Sequence, residues 1–276
     1  MRVLIVTAVP AERDAVVRGI AATAPEVAEL PVPGGVIHRL SPVPPTGRPL
    51  TVDVLAAGVG PAAAAAGTAA ALTAAAVART PYDLAVSAGI GGGFTTTPPT
   101  TAAPATMPRT AAAPATPRPG SAAARLGSVV VADAIVAADL GAETPDGFAA
   151  VTDLGFGTVE HLPPAPLVAA VAEATDAVRG TVLTVSTVTG SAERAAELLR
   201  RHPHAVAEAM EGFGVAEAAA AQAVPALEVR TVSNAVGPRD RAAWRIGEAM
   251  EALTSAFATI APLLGTWTFD PEGTRQ

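Results

Sequence analysis

The chain has 276 residues, 50% of them hydrophobic and 3% aromatic, with no cysteine and a net charge of −7. Without cysteine there is no disulfide scaffold, Cys-based zinc site, iron–sulfur cluster or thiol nucleophile, and because all 18 basic residues are arginine there is neither Schiff-base chemistry nor a phosphate-loop lysine. The acidic balance argues against nucleic-acid binding by phosphate neutralisation, while the Val, Leu and Ile runs suffice for one sizeable core.

Arg2–Val6 reads as a buried strand, followed by a helix from about Ala11 to Ala22. Leu50–Ala56 is a second strand, and Gly58 to Val77 is turn plus helix, with Pro61 at the first helical position, where its missing N–H costs nothing. No charge falls between Val54 and Val77, but the stretch is mostly alanine interrupted by Gly58, Gly60, Pro61 and Gly67, so it lacks the density of large apolar side chains that membrane insertion needs. Asp83–Ser87 is a third strand, ending in the glycine cluster Gly89–Gly93. Thr95 to Arg125 is a Pro/Ala/Thr tract without hydrophobic period, expected to be a mobile surface insertion between two strands of one sheet. Ser128–Ala132, Thr181–Ser186 and Leu227–Ser233 are further strands, and helices are expected at Ser191–Arg201, Ala205–Ala221 and Arg241–Leu264. Apolar strands alternating with helices imply an α/β fold with a largely parallel sheet covered on both faces, in one domain spanning 1–276. The apolar start is too short for a secretion leader and soon meets Glu12, Arg13 and Asp14, which makes a cytoplasmic location the expectation, with no membrane association.

Gly58-Val-Gly60-Pro-Ala-Ala63 follows a strand and matches a relaxed dinucleotide fingerprint, but the acid it needs, Asp83, sits at the amino end of its strand and cannot reach a ribose. A tight strand-to-helix turn is the better reading, so no nicotinamide or other cofactor is expected. The histidines His38, His161, His202 and His204 show no metalloprotease spacing, and Gly-x-Ser-x-Gly is absent, so neither a metal site nor a serine nucleophile is expected. What remains is a set of carboxylates, glycines and amides near strand ends: Glu12, Gly89–Gly93, Glu211 within Glu208-Ala-Met-Glu-Gly-Phe-Gly214, and Ser233-Asn234.

The succession Glu12, Gly89-Ile90-Gly91-Gly92, Ala-Met210-Glu211-Gly and Arg230-Thr-Val-Ser233-Asn234 resembles the nucleoside phosphorylase and nucleosidase superfamily, and its methylthioadenosine/S-adenosylhomocysteine nucleosidase branch in particular. Within it, Ala138-Asp139-Leu-Gly141-Ala-Glu143, Asp146-Gly-Phe148, Leu154-Gly-Phe156-Gly157 and Ser233-Asn234-Ala-Val-Gly237-Pro-Arg239-Asp240 are similar to the futalosine hydrolase group of the alternative menaquinone route. The resemblance implies a three-layer α/β/α sandwich of the nucleoside phosphorylase type, with a mostly parallel mixed sheet, and hydrolysis of futalosine to hypoxanthine and dehypoxanthinyl futalosine. It also implies roles. Glu12 orients or deprotonates the attacking water, Glu211 holds the ribose hydroxyls with Met210 against the sugar, and Asn234 meets the purine around N7 and O6. Gly89, Ile90, Gly91, Phe156, Arg230 and Ser233 join the substrate site.

Cleavage of an N-ribosidic bond passes through an oxocarbenium-like sugar, so a pair of carboxylates suits the chemistry independently of the resemblance. Asn234 departs from the aspartate of the adenine-specific relatives: its neutral amide suits a 6-oxopurine, and either the base needs less help to leave or Asp240 takes over part of the acid's role. A homo-oligomer, a dimer by analogy with the nucleosidases, is expected, and the partner is a small purine nucleoside. Two alternatives stay open. One is another purine nucleoside hydrolase or a phosphorylase, the phosphorylase disfavoured because Glu12 would repel phosphate and no arginine lies near Gly89–Gly93. The other is a non-catalytic nucleoside-binding module.

Overall fold

The computed structural model describes residues 1–22, 26–41, 49–94 and 124–267. In chain order the elements are β1 (Arg2–Thr7), α1 (Pro10–Ala21), β2 (Val27–Val32), β3 (Gly35–Leu40), β4 (Thr51–Ala56), α2 (Pro61–Val77), β5 (Leu84–Gly93), β6 (Val129–Ala137), β7 (Gly141–Thr144), β8 (Gly147–Ala150), β9 (Glu160–His161), α3 (Ala165–Thr175), β10 (Val178–Thr184), α4 (Ala192–Arg201), β11 (Ala205–Ala209), α5 (Gly212–Ala220), β12 (Ala226–Ala235), a single 3-10 turn (Arg241–Ala243) and α6 (Ile246–Thr266). The expected insertion, apart from Ala124 and Arg125, falls outside the described residues.

The central strands are apolar on both faces because both are covered. Val3 and Ile5 pack with α1, α3 and α6 on one side. Leu4 and Val6, on the alternate face, pack against Leu72 and Ala75 of α2 and Val215 of α5. The result is helix, sheet, helix in three layers. The sheet is mixed. β1 lies parallel to β4 and β5, β12 parallel to β5, and β10 parallel to β6 and β11. β3 runs antiparallel to β2 and β4, and β12 antiparallel to β6. Strong curvature brings the end strand β11 back onto β5, antiparallel, through Ala207↔Gly93 and Glu208↔Gly92, so β5, β12, β6, β10 and β11 form a closed ring.

Several sequence expectations need correction. The glycine cluster does not follow the third strand; it is the second half of β5. Glycine is needed there because strands crowd it from both sides: a Cβ on Gly91 would sit 2.8 Å from the Glu208 carbonyl oxygen, and one on Gly93 2.7 Å from Val232 Cγ1. Ala205–Ala221 is not one helix. Its first five residues form β11, wholly buried between β10 and β5, and the helix starts only at Gly212. An alanine run carries no period to separate strand from helix, so the ring's packing decides. The helix expected over Arg241–Leu264 breaks at Trp244–Arg245, where the Arg245 N–H donates to the Ser233 carbonyl at 2.8 Å and ties the chain to the end of β12. The β2–β3 and β7–β8 hairpins, β9 and α3 carry no sequence expectation. Among the described residues no helix is long and apolar enough to cross a membrane.

Candidate active site

Arg230, in the interior of β12, is fully buried and organises the site from beneath. Its Nε lies 2.9 Å from Glu228 Oε1, its Nη1 3.2 Å from Glu211 Oε2, and its Nη2 donates to Ser87 Oγ at 2.8 Å. Two glycines make room for these charges. A Cβ on Gly89 would stand 2.5 Å from Glu12 Oε1 and 2.8 Å from Arg230 Nη1, and one on Gly212 would stand 2.1 Å from Glu228 Oε2. The glycine of Met-Glu-Gly is therefore the space into which Glu228 fits.

Glu211 sits at the junction between β11 and α5, where Oε1 accepts the Gly60 N–H at 3.1 Å. The Gly58–Gly60 turn, read from sequence as a bland connection, thus holds a carboxylate. Glu12 lies in the first turn of α1 and is buried. Its Oε2 accepts the N–H groups of Ala8 (3.0 Å) and Val9 (3.2 Å), and its Oε1 accepts that of Ile90 (2.9 Å). Three backbone donors fix its orientation. Burial pushes its pKa above the ordinary carboxylate value; the Arg230 charge and the Ile90 N–H oppose that rise and the nearby Glu211 adds to it. A carboxylate tuned upward is better matched to taking a proton from water near neutral pH.

The far end of the site presents a neutral amide. Asn234 Oδ1 lies 2.8 Å from Ser233 Oγ, whose single proton also has the Gly91 carbonyl within reach at 3.2 Å. Asn234 Nδ2 donates to the Ala235 carbonyl at 2.9 Å, which leaves its second N–H for a ligand. Nearby, Glu208 of β11 is buried, with Oε1 accepting the Thr189 N–H at 2.8 Å and Oε2 accepting the Thr189 hydroxyl.

A cleft of about 260 Å³ joins these parts. It brings together Glu12, Ile90, Gly91, Met210, Glu211, Ser233 and Asn234, all expected from sequence, with Gly89 and Arg230 directly below. Segments at or beyond the carboxyl ends of β1, β4, β5, β10 and β12 reach it, and β11, antiparallel to β5, delivers Met210 and Glu211. Two expected residues do not reach it. The Asp240 carboxylate accepts the Ala242 N–H at 3.1 Å and caps the 3-10 turn, and Phe156 is 68% exposed in the turn beyond β8. Against the expectation of no arginine near Gly89–Gly93, Arg230 reaches Gly89 through space, but its charge is committed to Glu228 and Glu211. Glu208, Glu228 and Trp244 carry no expectation from the sequence, and Gly60 carries only that of a turn. Trp244 lines the cleft, with the guanidinium groups of Arg239 and Arg241 5.4 and 6.0 Å from its ring centre. No cluster of three or more metal-ligating side chains occurs among the described residues.

No protein-family model matches the chain. It is, however, 61% identical over 267 residues to the futalosine hydrolase of Streptomyces coelicolor, covering 97% of this chain and 98% of that one. It is 40% identical over 278 aligned positions to the futalosine hydrolase of Acidothermus cellulolyticus, covering 98% and 93%. The fold is similar to that of the 5′-methylthioadenosine/S-adenosylhomocysteine nucleosidase of Neisseria meningitidis solved with methylthio-immucillin-A, with a TM-score of 0.69 at 16% identity over 96% of this chain and 99% of that one. That likeness concerns fold alone, whereas the two sequence matches run nearly end to end through every segment that builds the cleft. The chain belongs to the futalosine hydrolase family.

Proposed function

We propose that this chain hydrolyses the N-ribosidic bond of futalosine, releasing hypoxanthine and dehypoxanthinyl futalosine in the futalosine route to menaquinone. The observation that carries the reading is the pair Glu12 and Glu211, oriented by backbone N–H groups in one cleft that ends in the neutral amide of Asn234. Glu211, steadied by Arg230 and Gly60, accepts hydrogen bonds from the ribose hydroxyls, and Met210 packs on the sugar. Glu12 takes a proton from the water that attacks the anomeric carbon as positive charge develops on the ring. The free N–H of Asn234 meets the base at O6 or N7 as it gathers negative charge. The aryl carboxylate arm of futalosine then points to Trp244 and to Arg239 or Arg241 stacked on it; Arg245 faces Glu248 instead, at 3.6 Å.

Incubating the purified protein with futalosine, with and without phosphate, tests this reading. Free hypoxanthine is expected without phosphate. Dependence on phosphate would make the enzyme a phosphorylase, and no free base at all would make it a binding module. Asn234→Asp tests the base-reading role: preference moves towards the 6-amino analogue, with a change of about tenfold or more in the ratio of kcat/KM values, because a carboxylate repels O6. An unchanged ratio removes Asn234 as selector. In the same reading the enzyme is cytoplasmic and a homo-oligomer, a dimer. The exposed Leu154, Phe156 and Leu162 support a contact surface on the 151–162 segment, and sedimentation of a monomer at micromolar concentration would end that part.

A further inference from the structure

Glu208 is the buried carboxylate in the cleft that the mechanism above leaves unused. It lies in β11 opposite Gly92 of β5, and Asn234 of β12 lies opposite the same Gly92 from the other side. β11, β5 and β12 belong to the closed five-stranded ring, so Glu208 and Asn234 flank Gly92 on one curved wall. Both side chains line the same cleft, so a base bound there meets the two together. The carboxylate is not adrift. The Thr189 N–H can only donate, and it holds Oε1 at 2.8 Å while the Thr189 hydroxyl holds Oε2, so each oxygen keeps one lone pair for a further donor. Arg194 on α4 and Asp139 after β6 are the charged groups that act on it, with opposite signs. The edge offered to a base is therefore an N–H from Asn234 at one place and an acceptor from Glu208 at the next.

We infer that Glu208 is a specificity-determining residue that accepts the N1–H of a 6-oxopurine. A 6-oxopurine shows an acceptor (O6) beside a donor (N1–H); a 6-aminopurine shows a donor beside a bare N1 lone pair. The first pattern matches Asn234 and Glu208 in order and the second clashes at both places. This rests on the futalosine hydrolase reading and deepens it, because selection is then shared between two strands and does not fall on Asn234 alone. No covalent step is involved: Glu208 binds the base and leaves water activation to Glu12.

The test measures kcat/KM for futalosine, its 6-amino counterpart and its N1-methyl derivative on wild type, Glu208→Gln and Glu208→Ala, with thermal midpoints recorded for each. The wild-type rate on futalosine stands apart as the test of the enzyme's activity. If it is zero the underlying reading fails, whatever Glu208 does. Given that activity, Glu208→Gln should lose about 10- to 100-fold on futalosine and much less on the 6-amino compound, because a charge-assisted hydrogen bond is lost only with the former. N1-methylation should cost wild type about tenfold or more and Glu208→Ala far less, since the methyl group then meets neither the acceptor nor its bulk. Equal losses on the two nucleosides, or the same penalty for methylation with and without the carboxylate, overturn the inference. Should the variants not fold, the wild type alone decides: N1-methylated futalosine turned over as fast as futalosine removes Glu208 as an N1–H acceptor.

Discussion

Two buried carboxylate–arginine clusters in this molecule use the same residue types to opposite ends. On β4, between β1 and β3, Asp53, fully buried, receives Arg39 on both oxygens at 2.7 Å, Arg2 at 3.1 Å and the Tyr82 hydroxyl. Burial alone would raise its pKa, but the hydrogen bonds from Arg39 and Tyr82 and the charges of Arg39 and Arg2 hold the carboxyl below its usual range. Around Arg230 the proportion is reversed. Glu12, Glu211 and Glu228 face one guanidinium, and burial holds Glu12 and Glu228 above the usual range. Glu228 Oε2 makes no hydrogen bond among the described residues, and Arg230 Nη1 has only the 3.2 Å ion pair with Glu211. A saturated cluster with surplus cations is a brace. An acid-rich cluster with spare donors and acceptors is poised for a ligand and a proton.

The contrast breaks most visibly under single substitutions. Asp53→Asn should cost about 3 kcal/mol in urea denaturation, because it leaves two guanidinium groups against a neutral amide, with kcat of the folded protein unchanged. Glu211→Gln and Glu12→Gln should do the reverse, keeping the unfolding midpoint while kcat drops about 10²-fold or more. If Asp53→Asn lowered kcat as much as Glu211→Gln, the division into brace and site would be wrong.

A subtler test sharpens the role of the glycines. Gly212→Ala should cost about 2 kcal/mol, since its Cβ would overlap the Glu228 carboxylate. In the double variant with Glu228→Ala the losses should fall short of additive by about 1 kcal/mol or more, and strict additivity would show that the two residues are independent.

The smallest effect is in pH. Glu12 and Glu228 have folded pKa values raised above the ordinary 4.5, so the native state holds their protons more tightly than the unfolded chain. Their contribution to stability is fully present below 4.5 and is lost as pH rises through the raised folded values, by at most about 1.4 kcal/mol per pH unit for each group. Asp53 acts with the opposite sign: its contribution is present above 3.8 and is lost as pH falls through its depressed folded value. With Glu12 in the proposed role of base, active when ionised, kcat/KM should decline with falling pH in the window where its protonation firms the fold. Thermal midpoints and kcat/KM from about pH 4 to pH 8 check this, and parallel profiles would contradict it.

Where one side chain dominated its surroundings, the sequence was legible. The apolar run within Arg2–Val6, Pro61 at the head of α2 and the helix begun at Ser191 each express a local rule that the fold keeps. The assembled set Glu12, Met210, Glu211, Ser233 and Asn234 was legible because its spacing matched a family pattern. Alanine and glycine were where reading failed. β11 reads as helix because Ala205–Ala209 has no local preference strong enough to resist, and only pairing with β10 and β5 makes it a strand. Glu208 was the available hint, a charge in an apolar run that a strand would have to hold with specific partners. Asp240 and Phe156 came with motif resemblance, and their actual contacts are local: a 3-10 cap and an exposed turn.

The closure of β11 onto β5 has a kinetic meaning. The residues it pairs, Ala207–Glu208 with Gly92–Gly93, are remote in the chain, and such pairings form late because loop entropy is spent before contacts compensate it. Met210 and Glu211 follow that strand directly, so the Glu211 carboxylate acquires its place in the cleft only when the ring shuts. A chain with α1, α3 and α6 docked but β11 detached would carry most of its helix signal and no working cleft. Turnover is therefore the stricter gauge of nativeness for this fold, and on refolding it should return after the far-ultraviolet circular dichroism does.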